Sequence, residues 1–246
     1  MDKPAARARS AVLAAADGHS SPIAAGKRPR GRPRKTLDER DDGNRRVELV
    51  NTAAKLFRRK GFDATSTRDI AAAVGMHSGS PFYHFKSKGA LLYAVMDEGM
   101  RSAILRQTAA LAAAAPKAAT DLPDAAAMLR VLVRNHFDVL LGTGSDFIPV
   151  MLYESRSITA RQRASLARLQ GDYESVWAPV LQALSSEGRL QCPVKLARLL
   201  IFGALNWSVQ WFDAKKGASL DELADAAMAL FIGTDPKKKP TRKTRA

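Results

Sequence analysis

The chain has 246 residues, 46% of them hydrophobic, and its 39 Lys and Arg against 24 Asp and Glu give a formal net charge of +15. This apolar share can fill one large domain or two modest ones, but uncharged runs such as Leu199–Phe212 fall short of the roughly 20 apolar residues of a membrane-spanning helix. The single cysteine, Cys192, excludes an intrachain disulfide, and the positive excess points to a polyanionic partner.

The excess charge is confined to particular segments. Residues 1–46 carry +6, residues 47–96 carry +4 and residues 235–246 carry +5, whereas residues 97–234 are neutral. We therefore divide the chain into a basic tail (1–43), a basic helical unit (44–92), a neutral helical body (93–234) and a second basic tail (235–246). Because no secretory signal is evident either, a cytoplasmic location is expected.

The N-terminal tail shows no sustained hydrophobic period and is predicted to be disordered. Its segment Lys-Arg-Pro-Arg-Gly-Arg-Pro-Arg-Lys, residues 27–35, resembles an AT-hook, in which Arg30, Gly31 and Arg32 would lie along the minor groove of A·T-rich DNA. The alternative is a basic tail that binds phosphates without sequence preference. The two prolines that flank the Arg-Gly-Arg core favour the hook. The C-terminal tail has no such internal order and is interpreted as a non-specific electrostatic arm.

Four helices are predicted in the basic unit. Arg45–Lys60 has apolar residues at the spacing of an amphipathic helix and ends before Gly61. Ser66 and Asp69 form a capping box that opens a second helix, which runs to Gly75. A third short helix covers Phe82–Phe85, and a fourth begins near Lys88.

The second and third helices, joined by a tight turn at Gly75–His77 inside the basic unit, have the layout of a helix-turn-helix. In that motif the later helix enters the major groove of DNA. Short polar side chains at the start of the inserted helix suit the bases, and cations at its edges suit the phosphates. Here the polar residues are Ser78, Gly79 and Ser80, and the cations are Lys86 and Lys88.

About fifty consecutive positions in this region closely resemble the N-terminal domain of TetR-family repressors. They include Arg46-Val-Glu-Leu-Val, Thr65-Ser-Thr-Arg-Asp-Ile-Ala and Phe82-Tyr-His-Phe-Lys-Ser-Lys. The resemblance implies a three-helix DNA-binding domain, a homodimer and an effector pocket in the C-terminal helices. It also implies phosphate contacts from Thr67, Arg68, Tyr83, Lys86 and Lys88, and contacts with bases or nearby backbone from Ser78, Gly79, Ser80 and His84.

One position departs from the family pattern. Pro81 stands a few positions into the recognition helix, where the family usually has an apolar residue, and it has no backbone donor. We expect the helix to begin late, with Ser80 as its cap and Pro81 at its first position. For Tyr83 and His84, packing within the domain is the alternative to contact with DNA.

The neutral body is predicted to be helical as well, so the fold class is all-α, with about six helices after the DNA-binding domain. One apolar stripe runs from Leu129 to Leu140. A second, from Leu166 to Leu184, follows the capping pair Thr159 and Gln162 and should bend at Pro179. The last two predicted helices are Val194–Phe212, apolar on nearly every face, and Leu220–Phe231. By resemblance to the family, residues 194–212 and 220–231 form the dimer interface.

Scattered positions of the body resemble a TetR subgroup that controls lipid or steroid-ring degradation and senses acyl-CoA thioesters. Such a pocket needs apolar walls and a few placed polar groups. A core role is the alternative for His136 and the aromatic residues, and an ion pair with Glu154 or Asp172 is the alternative for Arg156. The candidates are Phe137, Met151, Tyr153, Trp177, Phe202 and Trp207 for the walls, and Arg130, Arg134, His136, Arg156 and Asn206 for polar contacts.

Two other classes of protein compete with a ligand-responsive repressor. An enzyme is disfavoured because the four histidines lie in unrelated places and the sequence offers no nucleophile–base constellation, metal cluster or phosphate loop, so no cofactor and no metal are expected. An architectural, nucleoid-type DNA-binding protein would need the two basic tails but no effector. The neutral body favours a dimeric repressor that binds a palindromic operator and is released by a small apolar or acyl-CoA-like effector.

Overall fold

The computed structural model describes residues 37–77, 81–115 and 124–233, and within these ranges the regular structure is helical throughout. The all-α prediction is confirmed. The helices are α1 (Leu37–Lys60), α2 (Thr67–Ala73), α3 (Pro81–His84), α4 (Lys88–Ala114), α5 (Ala125–Leu141), α6 (Phe147–Glu154), α7 (Ala160–Ser175), α8 (Trp177–Ser186), α9 (Val194–Trp207) and α10 (Leu220–Phe231), with short 3₁₀ turns at Ser155–Ser157, Ser208–Gln210 and Ala214–Lys216.

Local sequence signals set several of the helix starts. The hydroxyl of Ser66 accepts a hydrogen bond from the backbone N–H of Asp69, whose carboxylate accepts one from the N–H of Ser66. The same reciprocal arrangement opens α7 at Thr159 and α10 at Ser219. These capping boxes satisfy N–H groups that a helix leaves unpaired at its first turn.

The longest of these helices, α4, joins the two halves of the molecule. At 1.5 Å per residue it extends about 40 Å, and it packs on α1 at one end and on α5, α6 and α7 along the rest. A Cβ atom placed on Gly99 would lie 2.5 Å from the Cβ of Phe147, so α4 and α6 approach this closely only because Gly99 has no side chain. The buried core is continuous from Leu49 in α1 to Ala227 in α10.

Three predicted boundaries were wrong. Helix α1 begins at Leu37 rather than Arg45, so it includes part of the segment predicted to be disordered. The stripe from Leu166 to Leu184 is not one helix bent at Pro179 but two helices that meet at Val176. Pro179 lies in the first turn of α8, where a missing N–H breaks no helical hydrogen bond. The predicted helix Val194–Phe212 ends at Trp207 and continues as a 3₁₀ turn.

Candidate DNA interface and effector pocket

The helix-turn-helix is anchored by its apolar side chains. Ile70 and Ala71 of α2 are buried, as is Phe85 just after α3. Gly75 adopts φ +65°, a left-handed conformation that favours glycine, and it turns the chain out of α2. Helix α3 begins at Pro81, as expected from the proline's missing donor.

The surface that the anchored helices leave exposed carries several of the predicted DNA contacts. The side chain of Tyr83 is 91% exposed, and Arg68 and Lys86 are exposed too, while Thr67 and His84 are half-buried. A large aromatic ring left this exposed is not packed in the domain, so Tyr83 is free to meet a partner. The predicted base contacts Ser78, Gly79 and Ser80 lie outside the described residues, as do Arg30, Gly31 and Arg32 of the tail.

Lys88 differs from its predicted role as a phosphate contact. Its Nζ donates hydrogen bonds to the carbonyl oxygens of Phe62 (2.8 Å) and Thr65 (3.0 Å) and lies 4.2 Å from the centroid of the Phe62 ring. The ammonium group therefore holds the turn between α1 and α2 against the start of α4. The preceding Lys86 remains exposed.

A small, partly open cavity of about 50 Å³ lies in the body, between α4, α5, α6, α7 and α9. Four of the predicted ligand contacts line it, namely His136, Met151, Phe202 and Asn206. The remaining lining residues were not predicted from the sequence, and of these Gln170, Tyr173 and Glu174 belong to α7. Tyr173 was recognised as part of an apolar stripe, but its hydroxyl was not assigned a role. The other missed residues are Met100, Ala103, Val139, Ile148 and Leu152.

Two predicted polar contacts bind another helix instead of lining this cavity. Arg130 Nε lies 2.6 Å from Asp225 Oδ1, and Arg134 Nε lies 3.2 Å from Asp221 Oδ2. Both arginines thus pair with carboxylates on α10, which follows them by about ninety residues, and they fasten α10 to α5. An ion pair of this separation leaves no local pattern in the sequence.

The remaining predicted ligand contacts also lie away from the cavity. Phe137 and Trp177 are buried in the core next to it, and the indole N–H of Trp177 donates to Gln107 Oε1 at 2.9 Å. Tyr153 is half-exposed and hydrogen bonds to Gln210, Arg156 is exposed, and Trp207 is 65% exposed on α9.

His136 is at the centre of a buried hydrogen-bonded chain on the cavity wall. Its Nδ1 lies 3.0 Å from the hydroxyl of Tyr173, and its Nε2 lies 3.1 Å from Asn206 Oδ1. With the proton on Nε2, the ring donates to Asn206 and accepts from Tyr173. Burial lowers the pKa of His136 to about 4, against a smaller opposing effect of the hydrogen bond to Asn206, so the ring is neutral at pH 7. Burial also raises the pKa of the Tyr173 hydroxyl.

Helix α6 connects this cavity to the DNA-binding domain. Ile148, Met151 and Leu152 line the cavity, whereas Pro149, Val150, Tyr153 and Glu154 on the other face line a groove with Phe57, Arg58 and Gly61 at the end of α1. Spacings of three and four residues place each set on its own side of the helix.

Specific hydrogen bonds fasten both ends of α6 to the DNA-binding domain. At its C-terminal end, Glu154 Oε1 accepts from the backbone N–H of Phe62 at 2.9 Å. At its N-terminal end, Arg58 Nη1 donates to the carbonyl oxygen of Ser145 at 2.7 Å and to Asp146 Oδ1 at 3.1 Å. These hydrogen bonds connect α6 to the end of α1 and to the turn between α1 and α2.

The described ranges contain neither a metal site nor a membrane-spanning helix. No group of His, Cys, Asp or Glu there could hold a metal ion. None of the helices in these ranges has both the length and the apolar character needed to cross a membrane.

Comparison with known proteins agrees with this division of the molecule. Residues 49–95 match the family model described as "Bacterial regulatory proteins, tetR family", and residues 123–234 match "Tetracyclin repressor-like, C-terminal domain". The chain belongs to the TetR family. Since TetR-family proteins are DNA-binding regulators and not enzymes, the prediction that the chain is not an enzyme is confirmed.

Individual proteins with similar sequences or structures cover most of the chain. The HTH-type transcriptional repressor KstR2 of Rhodococcus jostii (strain RHA1) is 26% identical over 198 residues, which are 79% of this chain and 93% of KstR2. The crystal structure of the superantigen PfiT is 35% identical, with a TM-score of 0.63 over 77% of this chain and 97% of PfiT. The crystal structure of AibR in complex with isovaleryl coenzyme A and operator DNA is 22% identical, with a TM-score of 0.65 over 76% and 97% of the two chains.

Proposed function

We propose that the protein is a ligand-responsive transcriptional repressor of the TetR family, which binds a palindromic operator as a homodimer and is released by a small effector. The observation that carries this proposal is the double contact of α6, whose one face lines the internal cavity while its other face and both ends contact the DNA-binding domain. A molecule that enters the cavity meets Ile148, Met151 and Leu152 directly, so it can shift α6.

The path from α6 to the DNA runs through the turn between α1 and α2. Glu154 binds the N–H of Phe62, and Lys88 binds the carbonyl oxygen of the same residue from the start of α4. A shift of α6 therefore changes how α2 and α4 sit against each other. In a dimer, such a change alters the separation of the two recognition helices, which must match major grooves roughly 34 Å apart. The free energy of operator binding then becomes less favourable by the coupling free energy between the effector site and the DNA-binding site.

The proposed effector is a small apolar or acyl-CoA-like molecule. The cavity supports this proposal with its mainly apolar lining and a few polar groups at fixed positions. Two similar proteins add support: AibR has been crystallised with isovaleryl coenzyme A and operator DNA, and KstR2 is a transcriptional repressor.

The proposed dimer interface consists of residues 194–212 and 220–231. Leucines 196, 199 and 200 of α9 are each more than half exposed, and Leu230 of α10 is 84% exposed. A row of large apolar side chains on one helix face is unfavourable in water and favourable against a second copy. Gly203 lies in the same stretch and has no atom within 4 Å of its Cβ position, which leaves room for a close helix–helix approach.

The proposed DNA interface combines Thr67, Arg68, Ser78, Gly79, Ser80, Tyr83, His84 and Lys86 of the helix-turn-helix with Arg30, Gly31 and Arg32 of the tail. Lys88 is not retained as a phosphate contact because its ammonium group binds Phe62 and Thr65. A protein that makes these contacts would be associated with the DNA of the nucleoid.

Footprinting of the DNA upstream of the protein's own gene tests the proposal. We expect one discrete protected site with two-fold symmetry, and loss of protection when the effector is added, with isovaleryl coenzyme A as the first compound of an acyl-CoA series. Diffuse protection without a symmetric site would instead favour an architectural DNA-binding protein. Discrete protection that no compound of the series relieves would contradict the proposed effector class while retaining the operator.

A further inference from the structure

We propose that the cavity selects ligands that place an uncharged hydrogen-bond acceptor in it, with Glu174 excluding carboxylates and Asn206 binding the acceptor. This inference rests on the proposed role of the cavity as the effector site. It concerns which chemical group of a ligand the site accepts, and it can be tested without DNA.

The wall of the cavity bears a negative charge. Of the residues that line the cavity, Glu174 alone has a formal charge at pH 7, because His136 is buried and neutral. Glu174 forms an ion pair with Arg198 on α9, but Arg198 itself does not line the cavity. An entering molecule therefore meets a carboxylate, with its compensating cation outside the wall.

A carboxylate ligand would be disfavoured here for two physical reasons. Its negative charge would lie close to Glu174 in surroundings of low polarity, where like charges repel more strongly than in water. It would also lose its hydration shell against His136 and Tyr173, each only 4% exposed, without gaining a cation in return. An uncharged ketone, ester, amide or thioester has neither cost.

Asn206 supplies the group that would bind such a ligand. With the proton of His136 on Nε2, Asn206 Oδ1 accepts from it, and Asn206 Nδ2 has no hydrogen-bond partner within the part of the chain that the structure describes. The half-buried amide of Gln170 also lines the cavity. A carbonyl oxygen that enters the cavity could accept a hydrogen bond from one of these amides.

A cationic ligand is the remaining possibility for a site with one carboxylate. It is disfavoured because the carboxylate of Glu174 already binds the guanidinium of Arg198, in a pair whose side chains are each about 30% exposed, so an amine would have to compete with Arg198. An amine would have to displace Arg198 and leave that guanidinium, bound to no other carboxylate in the described ranges, without its partner.

Three probes of nearly equal shape separate these possibilities: 3-cyclohexylpropanamide, 3-cyclohexylpropanoate and 3-cyclohexylpropylamine. Their binding to the full-length protein is measured at pH 7 by titration calorimetry or ligand-observed NMR. We expect the amide to bind at least about tenfold more tightly than the acid or the amine, the ratio that a 1.4 kcal/mol difference produces. Equal or tighter binding of the acid or the amine overturns the proposal, and so does failure of all three probes to bind.

Two variants assign the selectivity to the named residues. Glu174→Gln should raise the affinity for the acid about tenfold and leave that for the amide nearly unchanged, whereas Asn206→Leu should weaken binding of the amide. Glu48→Gln, at an exposed position on α1 far from the cavity, is the matched control and should change nothing. Unchanged acid affinity in Glu174→Gln overturns the role of Glu174. If the amide binds as expected but no effector shifts operator affinity, the coupling to DNA fails while the selectivity stands.

Discussion

His136 joins three helices through one buried ring. It belongs to α5, and its two nitrogens contact Tyr173 of α7 and Asn206 of α9. The sequence left two roles open for this residue, a core histidine with satisfied nitrogens or a ligand contact. In the structure it has both properties, since its nitrogens are paired and its ring lines the cavity. A sequence pattern could not separate these roles, because both place a histidine on an apolar helix face.

The lowered pKa of His136 predicts that the protein is destabilised by mild acid. The folded-state pKa is about 4, against 6.5 for an ordinary histidine. Between these values the unfolded chain binds a proton that the folded chain does not, so stability falls as the pH drops from about 6.5 and the loss is complete below about 4. The full loss is about 3 kcal/mol.

Urea unfolding from neutral pH down to about pH 4 measures this effect. The wild-type protein should lose about 3 kcal/mol relative to His136→Gln, which keeps a neutral donor and acceptor at this position. His77→Gln, which changes an exposed histidine, should follow the wild type. Parallel pH profiles for wild type and His136→Gln would contradict the assignment.

At the scale of helices, α6 carries the proposed coupling between the cavity and the DNA-binding domain. Its C-terminal link is a single hydrogen bond from the N–H of Phe62 to Glu154, which does not line the cavity. We expect Glu154→Ala to leave effector affinity within about twofold of wild type. The loss of operator affinity that the effector causes should become about tenfold smaller, because a hydrogen bond to a charged group contributes roughly 1.5–3 kcal/mol.

Operator dissociation constants with and without saturating effector give this ratio for each variant. Glu187→Ala, at an exposed position beyond α8, is the control and should keep the full ratio. If Glu154→Ala also keeps it, the signal does not pass through the contact between α6 and the turn.

Signals contained within one helix could be predicted from the sequence, and contacts between distant helices could not. Ser66 with Asp69 and Thr159 with Gln162 marked helix starts correctly, because a capping box involves only four consecutive residues. Helix α6 was missed because its eight residues are a short apolar run containing Pro149, which has no distinct period. Arg130 and Arg134 were assigned to the pocket because their partners on α10 cannot be identified from spacing.

Over the whole molecule, charge and function are divided in the same way. The neutral segment 97–234 contains the cavity and the proposed dimer helices, so the proposed effector binding and dimer assembly would meet no strong long-range repulsion. The positive charge lies in the unit that carries the helix-turn-helix and in the two tails. Salt should therefore weaken operator binding strongly while leaving the binding of an uncharged effector nearly unchanged.

This division gives the N-terminal tail a separable contribution to DNA binding. Removal of residues 1–36, which end just before α1, should lower operator affinity without changing which operator is chosen. It should also flatten the salt dependence of binding, by roughly 0.9 in log–log slope for each phosphate that the tail no longer neutralises.

The double variant Arg30→Ala, Arg32→Ala separates a minor-groove hook from a plain basic tail. A hook predicts a larger drop in affinity on operators with A·T-rich flanks than on those with G·C-rich flanks, because the narrow A·T groove attracts arginine. The matched variant Arg7→Ala, Arg9→Ala removes the same charge outside the motif. It should lower the affinity equally for operators with A·T-rich and with G·C-rich flanks. If both double variants lose the same affinity for both kinds of operator, the tail contributes charge alone.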